Sequence, residues 1–350
     1  MSPPRRRPSA EELADGVARG DRALLARAIT LVESRRPEHR EQAQDLLQRL
    51  LPSTGGALRV GITGVPGVGK STFIEALGRR LLSAGHRPAV LAVDPSSSVS
   101  GGSILGDKTR MPELAADPRA YVRPSPSGGS LGGVAHKTRE TLLLCEAAGY
   151  DVVLVETVGV GQSEIVVAEM VDTVLLLLLP GAGDELQGIK RGILELIDVV
   201  AVNKADGANA VAAKQARIEY RSGLKLVRPL HAEWSPPVLT CSGLAGEGLG
   251  EVWAAVEEHR DTLQKIGAFD AKRRRQMKNW LWSLLEERLM DAFRRDPAVA
   301  QRLPHLERAV SEGGTTPGRA AAELLGSFLA EGAPRRRDSS AKGRACPPQR

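Results

Sequence analysis

Hydrophobic positions along this chain change their spacing several times, and each change marks a predicted element. Between residues 9 and 51, apolar residues recur every three or four positions among many charges, which predicts two or three amphipathic helices. From residue 58 onward, short apolar runs alternate with helical stretches. Most runs are nearly continuous in Val, Leu and Ile, as is typical of strands buried on both faces of a parallel sheet. The predicted strands cover residues 58–63, 89–93, 120–123, 151–156, 172–179, 197–202 and 237–241.

This alternation predicts an α/β fold with a doubly wound, mostly parallel sheet flanked by helices, in which ligands bind at the carboxyl ends of the strands. After residue 264 the pattern is helical only, and after Gly332 it changes to Pro, Arg and Ser, for which we expect disorder. The predicted parts are an N-terminal helical extension (1–55), the α/β domain (56–263), a C-terminal helical extension (264–332) and a disordered basic tail (333–350).

The segment 64–71 reads GVPGVGKS and stands between a predicted strand and a predicted helix. Its spacing is that of a phosphate-binding P-loop, in which glycines let backbone N–H groups face a polyphosphate. Lys70 supplies a charge for the β- and γ-phosphates, the Ser71 hydroxyl can bind Mg²⁺, and the helix dipole favours the same anion. We therefore predict a P-loop nucleoside triphosphate site formed by Gly64, Val65, Pro66, Gly67, Val68, Gly69, Lys70, Ser71 and Thr72.

The base-recognition signal is Asn203, Lys204 and Asp206, directly after an apolar run. The Asp206 carboxylate can accept two hydrogen bonds, which matches the ring N–H and exocyclic amine of guanine, whereas adenine has no such donor pair. Lys204 would lay its stem along the base, and Asn203 would tie this loop to the P-loop. The end of the next strand suits a backbone loop that completes a guanine pocket, with Ser242, Gly243 and Leu244. The predicted ligand is GTP.

Acidic residues at strand ends are the candidates for metal binding and catalysis at the γ-phosphate. Glu156 closes a predicted strand and can hold Mg²⁺, while the nearby Gly159 offers an N–H to the γ-phosphate. Val160 stands where many small GTPases have a water-orienting glutamine, so we expect slow unaided hydrolysis. Asp94 ends another strand and Asp107 lies in a glycine-rich loop. Each of these two is as consistent with a turn residue as with a catalytic one.

Composition narrows the class of protein. The formal net charge of +6 comes from the termini, namely the arginines at 5–7 and six cations beyond residue 333, so it does not predict a nucleic-acid partner. Three scattered cysteines (Cys145, Cys241 and Cys346) lack metal-ligand spacing, and the most apolar segment is too short to span a membrane. With no signal-peptide pattern, we expect a reduced cytoplasmic protein that binds no membrane.

Together these motifs resemble the MeaB/ArgK/MMAA family of P-loop GTPases, metallochaperone-type chaperones of adenosylcobalamin-dependent acyl-CoA mutases, methylmalonyl-CoA mutase above all. The run at 180–191, PGAGDELQGIKR, is particularly distinctive. The resemblance spans about 50–290, most of the chain, and is carried by the stretches 61–72, 93–97, 101–111, 123–127, 156–164, 180–191 and 203–207.

The resemblance implies that a catalytic and metal-binding group surrounds Mg²⁺ and the γ-phosphate, with Lys70, Ser71, Asp94, Asp107 and Glu156 as its members. It implies that 180–191, with Lys190 as a catalytic candidate, is a third mobile switch that signals the nucleotide state to the mutase. It also implies a homodimer through the C-terminal helices. The implied function is GTP-gated cofactor loading, with protection or reactivation of the mutase.

Other interpretations stay open from the residues alone. The segment 180–191 suits an ordinary strand-to-helix connection. The apolar residues of the helix from Lys272 suit a dimer seam or packing on the chain's own domain. A nickel-insertion GTPase chaperone, which wants Cys and His ligands, is the alternative function, and a P-loop kinase that uses ATP is a more distant one.

Overall fold

The computed structural model describes residues 8–34, 36–93, 111–123, 131–157, 163–181, 194–224 and 231–332. Strands and helices alternate through its middle. The strands are β1 (Leu58–Gly64), β2 (Pro88–Val93), β3 (Tyr121–Arg123), β4 (Val152–Thr157), β5 (Thr173–Leu178), β6 (Val199–Val202) and β7 (Val238–Thr240). The helices up to the middle of the sheet are α1 (Ala10–Ala18), α2 (Arg22–Val32), α3 (Pro37–Leu50), α4 (Lys70–Ser83), α5 (Pro112–Ala116), α6 (Leu131–Ala147) and α7 (Ser163–Ala168). The later helices are α8 (Ala210–Leu224), α9 (Leu249–Lys265), α10 (Ala268–Arg295), α11 (Pro297–Ser311) and α12 (Pro317–Gly332).

The seven strands form one sheet in the order β3-β2-β4-β1-β5-β6-β7, and each neighbouring pair is parallel. Every predicted strand is present, with ends that differ by one or two residues. All positions of β2, β4, β5 and β6 are buried, because helices cover both faces of the sheet. The predicted α/β fold class is confirmed. Because β1 lies in the centre of the sheet, the P-loop that follows it emerges between two strand ends.

The N-terminal helices share a hydrophobic core with the sheet. Leu25, Ile29 and Leu46 are fully buried and belong to the same cluster as residues of α6, β4 and β5. The first helix begins at a capping box, in which Ser9 Oγ accepts from the N–H of Glu12 and the Glu12 carboxylate accepts from the N–H of Ser9. Three helices form here, so the expectation of two or three amphipathic helices is confirmed.

Buried charges line the amino ends of the strands, on the side of the sheet away from the P-loop. Arg59 pairs with Glu146 at 2.8 Å, and Arg273 of α10 makes a two-point contact with Asp172 at 2.6 and 2.8 Å. The Lys272 ammonium donates to the backbone oxygen of Asp172 at 2.6 Å. These contacts hold the first turns of α10 on the sheet edge, and the charges compensate one another away from water.

Asp198, at the start of β6, is expected to contribute stability that is lost in acid. Burial raises the pKa of this carboxyl, but the Lys272 ammonium 3.7 Å away, the His259 Nε2 at 3.2 Å and a hydrogen bond from the Val174 N–H outweigh it and hold the pKa below the ordinary value. A depressed native pKa stabilises the fold above the unfolded-state value of about 3.9, and this contribution disappears as the pH falls through the native pKa. Asp198→Asn should cost about 3–5 kcal/mol of unfolding free energy at pH 7, because Lys272 stays buried without its charge partner.

Urea unfolding from pH 7 to pH 3 measures this effect, with the exposed Asp45→Asn as the control. The difference in unfolding free energy between wild type and Asp198→Asn should narrow only below about pH 4. An equal gap at every pH would contradict the assignment.

The described residues up to Lys278 form one compact unit, and those from Asn279 form another. In the second unit, the rings of Phe293 and Phe328 pack edge to face at 5.4 Å, and Val299 is fully buried. The domain boundaries predicted above stay predictions. Throughout the described ranges, no helix combines the length and the apolar character needed to cross a membrane.

Candidate functional site

The P-loop connects the last residue of β1, Gly64, to the first residue of α4, Lys70. Gly69 precedes the helix with φ of 92°, a left-handed conformation that favours glycine. Lys70 is buried and its Nζ donates to the carbonyl oxygens of Gly64 at 2.7 Å and Val65 at 3.2 Å, so the side chain folds back over the loop. The first turn of α4 leaves N–H groups without intrahelical acceptors. The loop therefore offers a positive charge and helix N–H donors in one place, which suits a polyphosphate.

Asn203 joins the P-loop to the loop after β7. Its Nδ2 donates to Val68 O at 2.8 Å, and its Oδ1 accepts from the N–H of Gly243 at 3.0 Å. A Cβ on Gly69 would lie 3.0 Å from Asn203 Nδ2 and 3.8 Å from Lys204 Cε, so the two loops pack directly on each other. The tie that the sequence predicts for Asn203 is present, and a second one to Gly243 accompanies it.

Lys204 has φ of 57°, and among the residues that the structure describes it is the only one other than glycine with a positive φ. Such a conformation costs about 1–3 kcal/mol and persists where neighbours hold it. Here the N–H of Asn203 donates to Leu178 O and the N–H of Ala205 donates to Cys241 O, one on each side of the strained residue. Backbone strain of this kind concentrates at ligand sites, which agrees with the predicted role of Lys204 beside the base.

Asp206 is held by a partner that the sequence analysis assigned to the pocket itself. Ser242 Oγ donates to Asp206 Oδ1 at 2.6 Å and accepts from the N–H of Ala245 at 2.9 Å. Ser242 thus orients the carboxylate, whereas Leu244 is 82% exposed and its role in the base pocket stays a prediction. A Cβ on Gly243 would lie 2.9 Å from backbone atoms of Phe73, so this loop also rests on the first turn of α4.

Glu156 ends in contact with the P-loop serine. It is buried in β4, in register with Ile62 on one side and Ala92 on the other, and its Oε1 accepts from Ser71 Oγ at 3.0 Å. A hydroxyl and a carboxylate oxygen are hard ligands of the kind that Mg²⁺ prefers. These two residues therefore fit a magnesium ion beside the P-loop. Sequence reasoning identified both, because each stands at a strand end or helix start.

Several predicted site residues lie outside the described residues. They are Asp94, Asp107, Gly159 and Lys190, together with most of the segment 180–191, of which Pro180 and Gly181 are described. Their roles stay predictions.

The thiols of the described chain suit packing. Cys145 and Cys241 are buried and free of disulfides, and burial raises the pKa of the Cys241 thiol to about 12. Burial likewise raises the pKa of Cys145. In the parts of the chain with described coordinates, no group of three or more His, Cys, Asp or Glu side chains could hold a metal ion. Those parts therefore give the nickel-insertion alternative no ligand set.

Comparison with known protein families identifies the family of this chain. A family model described as "Methylmalonyl Co-A mutase-associated GTPase MeaB" matches residues 25–298. The chain belongs to the MeaB family. It is therefore a GTPase and binds guanine nucleotides, and the predicted resemblance is confirmed.

Individual relatives agree with this family over most of their length. A "Putative GTPase" of Caulobacter vibrioides is 59% identical over 309 residues, which cover 88% of this chain and 94% of the relative. The "Methylmalonic aciduria type A homolog, mitochondrial" of Mus musculus is 50% identical over 91% of this chain and 79% of its own length. The crystal structure of an LAO/AO transport system kinase superposes with a TM-score of 0.73 at 38% identity, over 91% of this chain and 97% of that one.

Proposed function

We propose that this GTPase is a chaperone of an adenosylcobalamin-dependent acyl-CoA mutase, with methylmalonyl-CoA mutase as the preferred partner. The observation that carries the proposal is the family match over residues 25–298, since the family is described as mutase-associated. GTP binding and hydrolysis would gate cofactor loading and protect or reactivate the mutase. We further propose a cytoplasmic location, with which the disulfide-free Cys145 and Cys241 agree.

In this proposal the guanine loop and the P-loop divide the work on GTP. Asp206 accepts from the guanine edge, and Asn203 keeps that loop attached to the P-loop at Val68. Lys70 exchanges its present carbonyl contacts for oxygens of the β- and γ-phosphates, which places its charge where negative charge develops during phosphoryl transfer.

Ser71 and Glu156 are the described residues that would hold Mg²⁺, and Asp94 and Asp107 are proposed to join them. The bound ion would neutralise charge on the β- and γ-phosphates. The Glu156 side chain is already in place for this role, because it is buried and contacts Ser71 at 3.0 Å. With Val160 in place of a water-orienting glutamine, we expect slow hydrolysis until the partner or another residue positions the water.

We propose that the segment 180–191, including Lys190, reports the nucleotide state to the mutase. The segment follows β5, which is the direct neighbour of the P-loop strand in the sheet. Its glycines and charged residues suit two ordered arrangements that the γ-phosphate selects.

A pull-down against purified mutase tests the chaperone proposal. We expect different amounts of captured mutase with a non-hydrolysable GTP analogue, with GDP and without nucleotide. The Lys70→Ala variant should lose most of this dependence, while the exposed Lys214→Ala should behave as wild type. Equal capture in all three states by the wild-type protein would refute the proposal.

We also propose a homodimer through the C-terminal helices. Leu281, Leu285 and Leu289 recur at four-residue spacing on α10 and are 56, 48 and 60% exposed. A ridge of this kind is buried in the assemblies that such helices form. Light scattering at two concentrations should give the dimer mass for wild type and the monomer mass for Leu285→Asp. Ile218→Asp, at an exposed apolar position of α8, should leave the mass unchanged. A monomeric wild-type protein at both concentrations would contradict the dimer.

A further inference from the structure

Three segments with predicted roles at the nucleotide lie at or directly after the carboxyl ends of neighbouring strands. The P-loop follows β1, Asp94 follows β2, and Glu156 stands one residue before the end of β4. The strand β4 lies between β2 and β1. In the register of these strands Val93 is opposite Thr157. Thr157 is therefore the residue at which β4 ends between the other two segments.

The Thr157 side chain makes a buried hydrogen bond to the P-loop strand. Its Oγ1 donates to Thr63 Oγ1 at 3.0 Å and lies 3.4 Å from Ile62 O. Thr157 is fully buried and Thr63 is 2% exposed. Buried hydroxyls are costly unless they are hydrogen-bonded, so the bond between the two threonines, with the longer one to Ile62 O, offsets that cost. Both residues lie in motif stretches (61–72 and 156–164), but no role was predicted for either, because the sequence does not show that the two side chains meet.

We propose that Thr157 is a positioning residue for GTP hydrolysis. Its bond to Thr63 sets the distance between the end of β4, which carries Glu156, and the start of the P-loop at Gly64, and the P-loop in turn places Ser71 at the start of α4. The inference rests on the proposed role of Glu156 and Ser71 at Mg²⁺. Thr157 acts through these residues and does not itself touch the nucleotide.

The expected effect falls on turnover and not on nucleotide binding. GTP is held mainly by backbone groups of the P-loop and by the loops joined through Asn203, which contact neither threonine in the bonds described above. A small displacement of Glu156 changes only the placement of the metal ligands and the reacting phosphate. Misplacement of about 1 Å from a residue remote from the chemistry can lower a rate by about 10²-fold.

Four variants separate positioning from simple stability: Thr157→Val, Thr157→Ser, Thr63→Val and the double Thr63→Val/Thr157→Val. In steady-state GTP hydrolysis by the isolated protein, Thr157→Val should lower kcat about tenfold, with KM and GDP affinity within about twofold of wild type. It should also need more Mg²⁺ for half-maximal rate. Thr157→Ser keeps the hydroxyl and should keep kcat within about threefold.

The double variant distinguishes a positioning role from a purely structural one, because the two roles predict different changes in kcat. Thr157→Val removes the partner of the buried Thr63 hydroxyl, and Thr63→Val leaves the Thr157 hydroxyl only its weaker bond to Ile62 O, whereas the double variant has neither hydroxyl. Its melting temperature should therefore recover towards wild type, while kcat stays as low as in the single variants, because the tether is absent in all three. Should Thr157→Val fail to fold, Thr63→Val removes the same bond from the other strand and decides the matter.

Two results would overturn the inference: wild-type kcat in Thr157→Val, or a kcat that recovers together with the melting temperature in the double variant. Glu156→Gln distinguishes this failure from failure of the metal role. A normal Mg²⁺ dependence in Glu156→Gln would refute the assigned role of Glu156 itself. An impaired Glu156→Gln beside a normal Thr157→Val would refute only the positioning by Thr157.

Discussion

Asp206→Asn is expected to change the preferred nucleotide from GTP to xanthosine triphosphate. The carboxylate of Asp206 can accept from both guanine donors, and Ser242 Oγ holds it at 2.6 Å in a set orientation. An amide presents an N–H where the guanine amine also presents one, so a hydrogen bond is replaced by two facing donors. The lost hydrogen bond to a charged group is worth about 1.5–3 kcal/mol and the unpaired donors cost about 1–3 kcal/mol more, so GTP affinity should fall roughly 10²- to 10⁴-fold.

Xanthine carries a carbonyl in place of the exocyclic amine, and the Asn amide can donate to it. The change in preference is measured by the displacement of a bound fluorescent guanine or xanthine nucleotide, with GTP and xanthosine triphosphate as competitors. The surface variant Asp45→Asn removes a carboxylate that pairs only along its own helix, with Arg49, and should leave the preference for GTP intact. An Asp206→Asn protein that still prefers GTP would refute the contact between Asp206 and the base.

Lys70→Ala is expected to reduce the rate of GTP hydrolysis by at least about 10²-fold. Removal of one preorganised hydrogen-bond donor to the developing charge causes a loss of this size in other enzymes. Lys70 is 9% exposed, and a charge in such a site acts more strongly on a phosphate than a solvated one would. Its Nζ also bonds to Gly64 O and Val65 O, so the variant loses support for the loop as well as the charge.

Phosphate release in a single turnover at saturating GTP measures this effect apart from any weaker binding. Thermal unfolding of the same variant checks that the fold persists. Lys214→Ala, an exposed lysine on α8, is the matched control and should hydrolyse GTP at the wild-type rate. Near-normal turnover by Lys70→Ala would discredit the P-loop assignment of this residue.

Local pattern was sufficient for the strands and for the motifs. The strands β2, β4, β5 and β6 are short, mostly apolar runs rich in Val and Leu, and their burial on both faces of the sheet leaves a clear signal in the sequence. The P-loop was equally readable, since glycines, lysine and serine must keep fixed spacing for backbone N–H groups to meet one phosphate chain. The family assignment followed from the same stretches.

Buried charges away from the nucleotide were not predicted. Asp172, Asp198, Lys272 and Arg273 lie in segments that read as strand starts or as a charged helix face. The pair Asp198–Lys272 is 74 positions apart along the chain, and the pair Asp172–Arg273 is 101 positions apart. Charge compensation of that kind depends on which strand starts lie side by side, and sequence periodicity does not specify the order of strands in a sheet.

The amino-acid pattern therefore determines the strands and helices and the class of nucleotide. It also identifies, through motifs, the residues predicted to contact that nucleotide. The folded chain accounts for how those residues are held: Asn203 on Val68 and Gly243, Ser242 on Asp206, Ser71 on Glu156. Spacing between these partners runs from 36 to 135 positions. A motif lies within a few consecutive residues and can be recognised from the sequence. Contacts between distant residues form only when parallel strands align in register and bring their carboxyl ends to one edge of the sheet.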